Sequence, residues 1–155
     1  MTIFSKYRTN SKIDEIREFL VNDLVISKQA CGRKEETVER SLVKQLKERF
    51  GDYDVRNQCR VGDNFKMRCD VDLFNGTCGI ELKLASSLEE KADEFQRAIG
   101  QIACYAHEHY KETGVFLLVV GKDAEMSDKI KELKTIVSQI KRVHFIYKQA
   151  ENKKS

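Results

Sequence analysis

The side chains with the most chemistry to offer in this 155-residue chain lie close together: Asp70, Asp72, Glu81 and Lys83. Residues 65–74 and 77–85 read as strands, in which alternate side chains share a face. Asp70 and Asp72 then point one way, and Val71 and Leu73 the other. Glu81 and Lys83 likewise share a face, opposite Ile80, Leu82 and Leu84. Asn75-Gly76 between the strands is a strong hairpin signal, so both acidic sets converge on one side of the hairpin. Two carboxylates with nearby backbone carbonyls make a hard oxygen site of the kind Mg2+ prefers. A lysine beside them can lie next to an attacking water. The chemistry expected of this set is metal-assisted hydrolysis of a phosphodiester.

The Glu-x-Lys spacing is not specific in itself, because it recurs at Glu89/Lys91, Glu132/Lys134 and Glu151/Lys153. Only Glu81/Lys83 lies in an alternating strand behind an Asp-bearing strand and a hairpin turn. Plainer roles stand beside the catalytic ones. Asp70 and Asp72 suit a solvated hairpin face, and Glu39 suits a helix start, where the dipole favours acids. Gln101 and Tyr105 suit helix-border packing, and Arg97 a solvated helix charge. His107 and His109 are two apart on a predicted helix and point in different directions, so they read as surface residues, as does His144. Lys28, Arg33 and Lys34 read as a solvated loop or a DNA-facing patch.

The elements that must position these groups follow from hydrophobic period and glycine breaks. A first helix from about residue 11 carries Ile13, Ile16, Leu20 and Leu24 on one face. A second, over 35–50, carries Val38, Leu42, Leu46 and Phe50, and Gly51 ends it. Strands are expected at 53–61, 65–74 and 77–85, followed by a long helix over 88–112. Its apolar positions step by three and four residues throughout. Residues 115–120 form a continuous apolar run, as for a strand buried on both faces. A helix over 127–140 and a strand over 143–147 complete the order α-α-β-β-β-α-β-α-β. The fold class is α/β, a mixed sheet with helices on both sides. The organisation is a helical extension over 1–34, a core over 35–150 and a polar tail over 151–155, all in one domain.

Asp70 (or Asp72), Glu81-Leu82-Lys83 and the α-β-β-β-α-β order resemble the PD-(D/E)xK nuclease superfamily, the restriction-endonuclease-like fold, here with an extra N-terminal helix. Glu39, on the helix before the sheet, matches the place of an accessory metal or water ligand. Gln101-Ile-Ala-Cys-Tyr105 matches the Gln-x-x-x-Tyr pattern of the RecB-like group. The resemblance spans roughly residues 35–120. It departs from the family name at Cys69, which stands where Pro is expected. It implies that Asp70 and Glu81 hold Mg2+ (Mn2+ substituting) with the Leu82 carbonyl, that Glu39 acts through a water, and that Asp72 is a possible further ligand. Lys83, with Gln101, would serve the reaction, which leaves 5′-phosphate and 3′-hydroxyl ends. Arg97, Gln101 and Tyr105 fall at intervals of four, so Arg97 is placed to grip a phosphate, with Arg68 and Tyr105 also facing nucleic acid. A catalytically silent binding or assembly module of the same fold, and an RNA nuclease, are the alternatives.

Composition bounds the rest. With 28 Lys and Arg against 25 Asp and Glu, the net charge of +3 neither announces nor excludes a nucleic-acid partner. The five cysteines include no CxxC pair, so they read as reduced core thiols. No stretch has signal-peptide or membrane-spanning character. The expectation is a soluble cytoplasmic protein that acts on DNA, with a homodimer or protein partner if cutting is sequence-specific.

Overall fold

The alternation of apolar and charged residues through 67–84 and the apolar run from 115 build the middle of a five-stranded mixed sheet. The computed structural model describes residues 3–61 and 67–152. The strands are β1 (Val55–Val61), β2 (Met67–Leu73), β3 (Cys78–Leu84), β4 (Val115–Gly121) and β5 (Val143–Gln149), in the order β1-β2-β3-β4-β5. β1, β2 and β3 pair antiparallel, while β3, β4 and β5 run parallel. Parallel neighbours need crossover connections, and helices supply them here.

The helices are α1 (Ile3–Glu18), α2 (Lys28–Cys31), α3 (Glu35–Phe50), α4 (Ala85–Glu90), α5 (Ala92–Cys104) and α6 (Asp128–Ser138). α1 runs on into a π-helical turn at Phe19–Asp23, and α5 into another at Tyr105–His109. β4 shows how the layers form. Phe116, Leu118 and Val120 face a cluster with Ile16, Leu20, Leu42 and Leu46, whereas Val115, Leu117 and Val119 face one with Ala98, Ile102, Leu133 and Val137. Helices α1 and α3 therefore cover one face, and α5 and α6 the other. Each fully buried Leu or Ile contributes about 1.5–3 kcal/mol, and the two clusters meet through β3 and β4.

Several boundaries differ from the sequence reading for local reasons. The first helix begins earlier than residue 11, and the expected start of the second strand at 65 falls outside the described residues. β1 starts at Val55 because Asp52–Asp54 close a 3-10 turn. The single helix expected over 88–112 is broken at Lys91, whose backbone is extended, so that α4 and α5 each lay an apolar side on the sheet. Glu151, expected in the tail, is docked: its N–H donates to the Ile26 carbonyl and its carbonyl accepts from Lys28. The segment from Ile13 to Ile26 shares one apolar cluster with β2, β3 and β4. Among the described residues, no helix is long and apolar enough to cross a membrane. All five cysteines are free thiols, with Cys31, Cys69 and Cys78 buried.

Gly79 in β3 is fixed by what faces it. A Cβ there would collide with the Tyr110 ring and the Cys69 sulfur. Gly79→Ala is expected to destabilise the fold by roughly 1–3 kcal/mol through overpacking, read as a lower midpoint in urea unfolding with an unchanged slope.

Candidate active site

The regular pairing of β2 with β3 stops at the residues that could do chemistry. Val71 pairs with Ile80, Asp72 with Gly79 and Leu73 with Cys78. One step further, Asp70 lies across from Glu81, and side chains take over from backbone. The Leu82 N–H donates to Asp70 Oδ2 at 2.8 Å, and the Asp70 N–H points to Glu81 Oε1 at 3.4 Å. The N–H and C=O of one strand residue face the same neighbour, so the Leu82 carbonyl also opens toward Asp70. On the other side of β2, the β1 ladder passes over the Gln58–Asp70 step, and Gln58 has φ 53°. The pleat breaks there too: Cys69 packs in the α5-side cluster and Val71 in the α3-side cluster, although they are two residues apart. Such irregular positions re-aim a side chain, and here the one re-aimed is Asp70.

Carboxylates from three elements gather around it. Gln58 Nε2 donates to Glu39 Oε1 at 2.5 Å and to Asp70 Oδ1 at 3.2 Å. Lys83 Nζ stands 3.6 Å from Glu81 Oε2 and 3.8 Å from Glu94 Oε2. Glu81 is 3% exposed and Lys83 is 6% exposed. Burial, then the charge of Asp70, holds the Glu39 carboxyl up at about 7. The same two causes push Glu81 well above the usual carboxylate range, against the opposing pull of Lys83. Burial also raises Glu35, whose charge feels Lys83, Asp70 and Glu94. Lys83 thus stands within electrostatic reach of Glu35, Glu81 and Glu94.

Hard oxygen donors in excess of local positive charge are what Mg2+ or Mn2+ takes, so these residues fit a divalent cation by their chemistry. Glu39, Asp70 and Glu81, with the Leu82 carbonyl, would hold it. Even so, among the described residues no three Asp, Glu, His or Cys side chains stand at ligand spacing around one point.

Other expected site residues have different employment. Asp72 is fully buried, and both of its oxygens are taken: Oδ1 accepts from the Tyr110 hydroxyl at 2.7 Å, and Oδ2 from Arg56 Nη2 at 2.8 Å and the Gly76 N–H at 3.0 Å. Asp72 is thereby tied into the hairpin's own hydrogen bonds, a structural role that stands beside its reading as a possible metal ligand. Tyr105, expected to face nucleic acid, is buried, and its hydroxyl donates to the Arg68 carbonyl at 2.9 Å; it braces β2 and offers a bound strand no surface. Arg68 itself is exposed. Arg97 is exposed and paired with Glu94 at 3.1 Å. Gln101 is partly buried, with its Oε1 buried and unpartnered. His144, expected at the surface, stacks on Phe116 and lies between Arg17 at 2.9 Å and the Thr113 carbonyl at 3.2 Å.

Glu35, Glu94, Gln58 and Tyr110 were not singled out in the sequence. Glu35 had a usable signal, because it precedes Glu39 by one helical turn and so shares its face. Gln58 had none, since its role depends on the broken pleat. Comparison of the chain with family models, with characterised proteins and with solved structures gives no match.

Removing Asp72 leaves the Tyr110 hydroxyl and the Gly76 N–H without their acceptor. Asp72→Ala is expected to cost roughly 3 kcal/mol, measurable as a lower melting temperature. Glu39 gives a pH signature. Its folded pKa of about 7 lies above the ordinary 4.5, so its contribution to stability is complete below 4.5 and is lost as pH rises through 7. In EDTA, Glu39→Gln is therefore expected to melt a few degrees above the parent at pH 8 and level with it at pH 4, by scanning calorimetry.

Proposed function

We propose that this chain is a divalent-metal-dependent nuclease of the restriction-endonuclease-like, PD-(D/E)xK type, acting on DNA. The observation that carries the reading is the convergence of Asp70, Glu81 and Lys83 where the β2–β3 ladder opens, with Glu81 and Lys83 buried side by side in the middle strand. A fold gains nothing from burying a lysine and an excess of carboxylates, because desolvation costs several kcal/mol per ion. Perturbed titratable groups gathered in this way mark functional sites.

The chain's own groups divide the work. Asp70 and Glu81 would offer carboxyl oxygens to a cation at the opening, and Glu39, linked to Asp70 by Gln58, would act from α3 through a water. Lys83 Nζ, held near Glu81 and Glu94, would turn its positive charge toward the phosphoryl oxygens, where negative charge builds during attack. Water adds to phosphorus, the P–O3′ bond breaks, and the products carry a 5′-phosphate and a 3′-hydroxyl. Asp70, Glu81 and the Leu82 carbonyl would hold Mg2+, which when bound would supply Lewis-acid polarisation of the scissile phosphate. Arg97, exposed beside Glu94, is the candidate to hold a neighbouring phosphate.

A second reading, a catalytically silent nucleic-acid-binding module of the same fold, draws on the lack of a ligand-spaced set among the described residues. One assay separates the two. Circular single-stranded DNA, supercoiled plasmid, linear duplex and RNA are incubated with the chain in Mg2+, Mn2+ or EDTA, beside Lys83→Met, which keeps the buried volume. Cutting is expected only with metal, and about a hundredfold slower or worse in Lys83→Met. Binding without cutting, by the folded chain in every metal, would favour the silent module. Cutting confined to RNA would change the substrate and not the site.

A further inference from the structure

Gln58 is the odd residue of the site. It sits in the body of β1, yet its φ of 53° places it in the left-handed region that non-glycine residues rarely enter. The β1–β2 ladder runs through Asn57–Val71 and Cys59–Cys69 but omits the step between them, Gln58 with Asp70. This conformation costs of order 1–3 kcal/mol and persists only if something holds it. What holds it lies at the far end of the side chain. Nε2 donates to Glu39 Oε1 and to Asp70 Oδ1, with one amide hydrogen available for each carboxylate.

Those two carboxylates repel one another: the charge of Asp70 is the second cause, after burial, of the raised Glu39 pKa. The amide nitrogen, with its fractional positive charge, stands between oxygens where a full cation would relieve the repulsion better. A Mg2+ ion requires its oxygens at about 2.0–2.1 Å. It cannot share that point with an amide nitrogen 2.5 Å from one oxygen and 3.2 Å from the other.

Resting on the metal-dependent reading above, we infer that Gln58 is a placeholder for the cation: its amide bridges Glu39 and Asp70, and metal loading must break both hydrogen bonds and swing the side chain out. Gln58 is a positioning residue and not a ligand. It keeps the carboxylates together without metal, and it sets a threshold that the metal must exceed.

The test is isothermal titration of Mn2+ alone into the EDTA-stripped, dialysed full chain, with no nucleic acid present. The parent is compared with Gln58→Ala and Gln58→Gly; the glycine tolerates the positive φ should the alanine fold poorly. Asp70→Asn serves as the control for the site. Both Gln58 variants are expected to bind Mn2+ about tenfold more tightly than the parent, since hydrogen bonds to charged groups no longer have to be broken, and Asp70→Asn should abolish the binding. Equal or weaker binding by the Gln58 variants, still lost with Asp70→Asn, would overturn the placeholder and leave the metal site standing. Weaker binding would make Gln58 a ligand. The absence of Asp70-dependent heat in every variant would overturn both the placeholder and the metal reading it rests on.

Discussion

Two charged side chains, Glu81 and Lys83, are buried in the middle strand of the sheet, and the surrounding architecture answers to them. β3 carries Ile80, Leu82 and Leu84 into the α3-side core, so its other face must take Gly79, Glu81 and Lys83. Ions withdrawn from water are tolerated only with partners. Glu81 and Lys83 are partly each other's partner at 3.6 Å, and Glu94 approaches from α5 at 3.8 Å. The apolar clusters on both faces of β4 must outweigh what desolvation costs here.

Asp70 and Asp72 show how environment assigns roles to identical groups. Asp72 lies where β2 and β3 still pair, and it receives a hydroxyl, a guanidinium and a backbone N–H. Held by these three partners, it fastens the hairpin to Tyr110 and Arg56. Asp70, two residues earlier, lies where the pairing lapses. It meets a backbone N–H and an amide, with Glu39 and Glu81 close enough to press on its charge. One carboxylate is spent on structure, and the other stands among like charges.

Much of this is legible in the amino-acid sequence, and the remainder is hidden there for identifiable reasons. Period-two alternation in residues 67–84 and the apolar run at 115–121 announce the strands, because burial on one face or both writes itself into residue type. The face carrying Glu81 and Lys83 follows from the same rule. The rule fails at Asp70: it assumes an even pleat, and a residue in the left-handed region in the neighbouring strand leaves no mark in composition. Burial of polar tips is equally silent. Tyr105 and Tyr110 look like any helix-border tyrosines until their hydroxyls are found on the Arg68 carbonyl and on Asp72. His144 is partly exposed, and nothing near it in sequence reveals its contacts with Arg17 and Phe116.

The excess of negative charge around Lys83 has a further counterweight in where the helices begin. Glu35 lies in the first turn of α3 and Glu94 in the first turn of α5. Unsatisfied N–H groups give a helix start a partial positive charge, which favours nearby acids by about 0.3–1 kcal/mol each. α3 and α5 come from opposite faces of the sheet, yet both bring their first-turn acids toward Lys83, as the electrostatic contacts of Glu35 and Glu94 with it attest. That convergence follows from topology. β3 is the strand at which antiparallel pairing gives way to parallel, so the helix preceding the hairpins and the helix following β3 flank the same strand on opposite sides. The opening between β2 and β3 thus lies under two helix starts, a setting in which carboxylates can be crowded. The crowding of acids there follows from the change of strand direction at β3.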